Sequence, residues 1–167
     1  MNNIFGIRTH SQNCKPYNYQ EVDSFMSRSA QPNQSNIDWL KDNNVTDIIN
    51  FRRDNESFPL EFDECKYVES RGMAYHNIPS YTNYPTDENL GKFLDIVEGV
   101  KQNGGKVHIH CREGADRTGM YAYIYERLNK LTSQAEAYKN FINGGWHNFD
   151  HPHLAKVAET FVQKIRK

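Results

Sequence analysis

At 167 residues the chain is long enough to bury a core without disulfide or metal staples, and a 13% aromatic content supplies bulky material for one. Acids and bases nearly balance to a formal net charge of -1, so no basic face suited to nucleic acid is implied, and any recognition of phosphate has to be local. No stretch approaches the ~18 apolar residues of a membrane span, MNNIFGIRTHSQNCK lacks the apolar core of a signal peptide, and the mean hydropathy is -0.86; the expectation is a cytoplasmic protein with no stable membrane insertion.

Residues 1–24, rich in Asn, Gln and Ser, read as an arm or irregular edge segment ahead of a domain that fills 25–167. FMSRSAQP, from Phe25, alternates as a short strand does and ends in a turn at Gln31 and Pro32. Ser35 is expected to cap a short helix, IDWLKDNN, that turns Ile37 and Leu40 inward. VTDIINF, Val45 to Phe51, is β-branched and apolar, as a strand covered on both faces should be. Residues 52–73, with Pro59 and mixed charges, read as a connection with a weak strand or turn, and MAYHNIP as another strand. Thr86 caps a helix over 87–102, with Leu90, Phe93, Leu94, Val97 and Val100 along one side and a stop at Asn103, Gly104 and Gly105. KVHIH is a strand and 118–131 a helix; two further helices fit SQAEAYKNFIN, capped at Ser133, and HLAKVAETFVQKIRK. That order predicts an α/β fold, a single domain whose central, largely parallel sheet is flanked by helices on both faces.

Three cysteines, Cys14, Cys65 and Cys111, cannot all pair, and none lies in a CxxC, so at least one thiol is free for chemistry in a reducing compartment. Cys111 belongs to HCREGADRTG, which joins the end of a buried strand to the start of a helix, where open α/β sheets bind ligands. Arg112, Glu113, Gly114, Ala115, Asp116 and Arg117 can wrap with their backbone N–H groups inward, a nest for an anion that the positive helix end reinforces. Beneath such a nest the same dipoles and Arg117 favour a thiolate at Cys111, a nucleophile aimed at phosphorus. Arg117 can fork two N–H bonds onto non-bridging oxygens.

Gly114 lets the loop turn and its backbone approach the anion, and Gly119 is expected to let the helix lie close to the sheet. The Thr118 hydroxyl is expected to donate to the sulfur, and His110 to orient the loop through its backbone. Cys65 is an internal control: Arg71 follows at the same interval, but KYVES between them holds no glycine to turn a loop, so the interval alone specifies little. HNFDHPH has the density of a metal site without the spacing of a tetrahedral one, and the chemistry calls for no metal or cofactor.

HCREGADRTG resembles the His-Cys, five residues, Arg-Ser/Thr-Gly signature of the protein tyrosine and dual-specificity phosphatase superfamily. RSAQP, IINFR, YPTDENLGKFLDIV and EAYKNFINGGWHNF resemble the small bacterial-type dual-specificity phosphatases with an Asp-Arg-Thr-Gly loop, across residues 25–150. YPTDENLGKFL followed by HC is also similar to the cysteine phytases. The resemblance implies hydrolysis of a phosphate monoester, a phosphotyrosine or phosphorylated protein first, through a phosphocysteine and without metal. Cys111 would be the nucleophile and Arg117 the clamp. An inositol phosphate, a phosphoinositide or another small phosphate ester stays open as substrate.

Many relatives carry an aspartate general acid on a mobile loop well upstream of the cysteine, but PSYTNYPT holds none. Asp116 is then the candidate acid, as in relatives with Asp-Arg at this position, and Asp87 the runner-up, although an acid in the first turn of a helix also simply complements its dipole. The missing aspartate keeps a second class open, a pseudophosphatase that captures phosphorylated partners without turnover; arsenate reduction or sulfur transfer by a similar loop is a third. Arg52 and Arg53 either support the loop or pair with Asp54 and Glu56, and Tyr81 and Tyr84 could flank a pocket deep enough for phosphotyrosine.

Overall fold

Met26, Ile49, Val107 and Ile109 are buried on one face of the central strands, and Ile48 is buried on the other, so this sheet has to be covered on both sides. The computed structural model describes residues 14–167. Its elements run β1 (Gln20–Glu21), β2 (Met26–Ser29), α1 (Gln34–Asp42), β3 (Asp47–Asn50), α2 (Glu64–Ser70), β4 (Ala74–Asn77), α3 (Asp87–Gln102), β5 (Val107–His110), α4 (Asp116–Leu128), α5 (Gln134–Asn143) and α6 (Leu154–Ile165). The sheet order is β1-β2-β5-β3-β4, with β2, β5, β3 and β4 parallel and β1 antiparallel at the edge. Ile37, Leu40, Val68 and Met73 cover one face from α1, α2 and their flanks; the other face lies under α3, α4, α5 and α6. This is the α/β architecture the element order predicts.

Register decides where the functional loop emerges. His110 of β5 lies level with Ser29 of β2 and Asn50 of β3, so three strands end together and Cys111 leaves the sheet between two neighbours. The loop leads into α4, where Tyr121 stacks on Phe51 with ring centroids 3.9 Å apart and gives its hydroxyl a partner in Ser80 Oγ at 2.7 Å. Among the described residues no helix is long and apolar enough to cross a membrane.

Four local expectations are corrected. The cap of α1 is Asn33, not Ser35: Asn33 Oδ1 accepts the Asn36 N–H at 2.9 Å while Asn36 Oδ1 accepts the Asn33 N–H at 3.0 Å, a reciprocal pair that a cap at Ser35 would forgo. Residues 52–73 contain a helix, α2, started by Asp63, whose side chain accepts the Lys66 N–H at 3.0 Å. Helix α4 begins at Asp116 and ends at Leu128, ahead of the expected 118–131. Gly119 makes room first for Phe141 of α5, since a Cβ there would run into that ring, and only then for the Arg28 side chain from the sheet, at 3.3 Å. Of the expected arm, residues 1–13 lie outside the described residues; the remainder contributes edge strand β1.

Candidate active site

The backbone of residues 112–117 divides cleanly into bonded carbonyls and free amides. Arg112 O accepts the Gln31 N–H at 3.0 Å, Glu113 O accepts Asn18 Nδ2 at 3.2 Å, and Ala115 O accepts the Gly119 N–H at 3.0 Å. Gly114 O accepts Nη2 of Arg28 at 2.6 Å. Among the described residues no protein acceptor takes the N–H of any residue from 112 to 117. With the carbonyls tied down from outside, those amides are left for an anion, together with the first N–H groups of α4, which has no side-chain cap. Gly114 sits at φ +72°, and a Cβ there would collide with the backbone of Ser29, so only glycine fits.

Cys111 is 3% exposed, at the base of this loop. Arg28, also 3% exposed, reaches beneath it from β2. Burial pulls the Arg28 pKa down to about 10, opposed by the charges of Cys111 and Glu126. Arg117 feels the same sulfur. Burial acts to lower its pKa, but the hydrogen bond to Glu56 and the charges of Cys111, Glu56 and Asp116 carry it above the usual value. The Cys111 sulfur therefore sits in the field of two buried guanidinium groups.

The Arg117 fork is already half occupied. Nη1 and Nη2 both donate to the Glu56 carboxylate, the second at 3.1 Å, and Nη1 also reaches Phe51 O at 3.2 Å and Ser80 O at 3.3 Å. None of these bonds uses Nε–H, so the Nε–Nη2 edge is the one left for phosphate oxygens. Burial acts to raise the Glu56 pKa, but the hydrogen bonds from Arg117 and the Arg53 backbone and the charges of Arg117 and Arg52 hold it at about 2. A polar cavity of about 260 Å³ is lined by Arg53, Glu56, Ser80, Thr82, Arg112 and Arg117 among others. A larger cavity of about 690 Å³ lies around Tyr138, Trp146 and Lys156 and includes no residue of the loop.

His110 is fully buried, with Nδ1 3.3 Å from Cys111 O; its Nε2 lies 2.9 Å from Glu64 Oε1 of α2 without forming a hydrogen bond to it. Glu64 also accepts from Gln31 and Asn50. Thr118 does not make the expected bond: its hydroxyl is buried and has no partner among the described residues. Asp116 is engaged rather than free, with Oδ1 accepting the His147 N–H at 2.8 Å and Oδ2 2.9 Å from His147 Nδ1. Asp87, the runner-up acid, is exposed and paired with Lys164 of α6 at 2.6 Å.

At the rim, Arg112 pairs with Glu113 at 2.6 Å, and the Arg53 guanidinium lies 4.1 Å from the centroid of the Tyr81 ring. Arg52 and Arg53 turn to Glu56 rather than Asp54. Tyr84 is exposed. The histidines of HNFDHPH part company, His147 to Asp116 and His153 to Thr82 O at 3.2 Å.

Sequence reasoning missed four residues of this site: Arg28, Glu56, Glu64 and His147. An arginine inside a strand that packs on both faces was a readable signal for Arg28. Glu56 gave none, because its bond to Arg117 spans 61 positions.

The sheet order and the loop after β5 fit the protein tyrosine and dual-specificity phosphatase superfamily, and the matching family model places the chain in that class. Within that class the chain belongs to the family described as DSP-PTPase phosphatase fused to NAD+ kinase, whose model matches residues 3–160. It is 25% identical over 124 residues to the dual specificity protein phosphatase CDC14C of Homo sapiens, covering 74% of this chain and 25% of that protein. It is 27% identical over 134 residues to the inositol diphosphatase DSP2 of Oryza sativa subsp. japonica, covering 75% of this chain and 62% of that one. The chain thus spans less than two thirds of either relative. The crystal structure of Pseudomonas aeruginosa TpbA shares the fold, with a TM-score of 0.73 at 16% identity over 90% of this chain and 92% of the other.

Proposed function

We propose that this chain hydrolyses phosphate monoesters through a phosphocysteine, without a metal, and that a phosphotyrosine or phosphorylated protein is its substrate. The observation that carries the reading is the division within residues 112–117, carbonyls bonded and amides free, above a cysteine in the field of Arg28 and Arg117. Cys111 Sγ attacks phosphorus as the ester oxygen departs. The amides of residues 112–117 and the Nε–Nη2 edge of Arg117 hold the equatorial oxygens, where charge spreads in the transition state. Asp116 protonates the departing oxygen and then takes a proton from the water that attacks the phosphocysteine. For Thr118 to assist the sulfur as leaving group, its unpartnered hydroxyl has to turn toward it once the phosphoryl group is bound.

A second reading, an inositol phosphate, is supported by Arg53 and Arg112 on the cavity rim and by the likeness to the rice enzyme. The test is steady-state hydrolysis of p-nitrophenyl phosphate, phosphotyrosine peptides and inositol phosphates by reduced protein in the presence of EDTA, with Cys111→Ser as blank. Turnover abolished in Cys111→Ser and indifferent to EDTA supports the reading, and the ratio of kcat/KM values chooses between the substrates. Reduced protein that binds phosphotyrosine peptide yet leaves p-nitrophenyl phosphate intact is a pseudophosphatase, because that leaving group scarcely needs an acid.

A further inference from the structure

Asp116 has one residue on both its oxygens. The His147 backbone N–H meets Oδ1 and the His147 ring meets Oδ2, and the turn that carries the ring is anchored by its neighbour Trp146. His147 follows Gly144, Gly145 and Trp146 after α5; Trp146 stacks on Phe141 with centroids 4.5 Å apart and donates Nε1–H to His151 O at 3.0 Å. The other ring nitrogen, Nε2, faces Glu113 Oε2 at 3.7 Å, so His147 bridges two side chains of the phosphate loop while its own side chain stays 45% exposed. The charged groups facing it are Asp116 from α4, Glu113 from the loop, with Arg112 behind it, and Asp150 from its own turn.

We propose that His147 is the proton partner of Asp116, so that the pair, not the aspartate alone, delivers the proton to the departing oxygen and recovers it during hydrolysis of the phosphocysteine. This rests on the reading of Asp116 as the acid. With both oxygens bonded to His147, Asp116 has a titratable ring within proton-transfer reach that can resupply whatever proton it gives away. The ring is the better place to keep the proton: its hydrogen bond to Asp116, helped by the charges of Asp116, Glu113 and Asp150 and opposed by burial, raises the His147 pKa above the ordinary histidine value.

The cycle balances. In the first half Nδ1–H of the imidazolium passes to Oδ2, Asp116 gives a proton to the ester oxygen as the P–O bond breaks and the S–P bond forms, and the pair is left as imidazole and carboxylate. In the second half water attacks phosphorus, the S–P bond breaks, the water proton goes to Asp116, and Nδ1 regains its own. His147 acts through Asp116 and is a positioning residue; in this role it also stores the proton.

Two variants separate the storage of a proton from mere geometry. His147→Asn keeps the backbone N–H to Oδ1 and places an amide N–H where Nδ1 stands, yet it cannot titrate. Compared on p-nitrophenyl phosphate and phenyl phosphate, it should lose about tenfold more rate on the poorer leaving group, and the alkaline fall of kcat on phenyl phosphate should shift or vanish. Asp116→Asn in the same assay reports on the acid itself. A His147→Asn protein with the wild-type leaving-group dependence and pH profile, beside an Asp116→Asn protein that loses both, overturns the role of His147 and leaves the acid standing. If Asp116→Asn shows no added sensitivity to the leaving group, the acid reading falls and this proposal with it. Should His147→Asn not fold, NMR titration of the His147 ring replaces it: Asp116→Asn should lower that titration toward about 6.5, and a ring titrating alike in both proteins overturns the pairing.

Discussion

Glu56 touches three guanidinium groups, donated to by Arg117, in contact with Arg52 Nε at 3.3 Å and 3.8 Å from Arg53 Nε, with its own side chain only 8% exposed. A buried carboxylate among three cations is not there for stability alone, since desolvation offsets much of the attraction. What it supplies is direction: holding Nη1 and Nη2, it fixes the guanidinium and leaves only the Nε–Nη2 edge to offer an anion. Glu56→Gln keeps one acceptor but removes the charge, so the arginine can wander and the cations repel. The expected result is a fall in kcat/KM for p-nitrophenyl phosphate of about a hundredfold, the scale of a misplaced catalytic group. Unfolding in urea should show a loss of about 3 kcal/mol from the broken buried pair. Unchanged kinetics would mean that Arg117 finds its orientation from Phe51 O and Ser80 O without help.

At the scale of elements, strand β2 and the loop after β5 are built as one unit. Arg28 binds the loop from below through Gly114 O, and Gly114 lies so close to Ser29 that neither strand nor loop can shift alone. Gly114→Ala would need both an unfavourable left-handed backbone for alanine and a displaced β2, which should destabilise the fold by at least about 2 kcal/mol and abolish turnover. A Gly114→Ala protein with full activity would show that the loop has slack. How far such elements can be read in advance depends on how they are held. Strand β5 and helix α4 are legible because apolar residues run straight into a glycine-bearing turn whose chemistry is local. Helix α2 is not: in its seven residues Val68 is the buried apolar side chain and Glu64 also points inward, so no periodic stripe exists to find. Its purpose, a carboxylate beside His110, depends on contacts far along the chain, as do the pairs Arg117 with Glu56 and Asp116 with His147.

Over the whole molecule, α4 is the member to which other parts are pinned by carboxylates. Glu56 ties the segment after β3 to Arg117 near its start, and Glu159 of α6 accepts from Arg127 near its end through Nε and Nη2, each at 3.0 Å. The hydrogen bond from Arg127, joined by those from Tyr123 and Gln163 and opposed by burial, lowers the Glu159 pKa to about 2, and Glu56 is held at about 2 as well, against an ordinary 4.5. Folded pKa values below the unfolded ones mean that between pH 4.5 and 2 the unfolded chain binds protons that the folded one does not. Stability from these groups is therefore fully present above about pH 4.5 and drains away as the pH falls toward 2. Thermal unfolding followed at pH 7, 5, 4 and 3 should show little change down to about 5 and a steep drop below it. Glu159→Gln, on α6 and outside the cavity that Arg117 lines, isolates the effect from the site: it should be less stable than wild type at pH 7, and its acid slope shallower by about one proton, so the two curves converge at low pH. Parallel curves would mean that Glu159 titrates alike in the folded and unfolded chain and that α6 is held to α4 by packing alone.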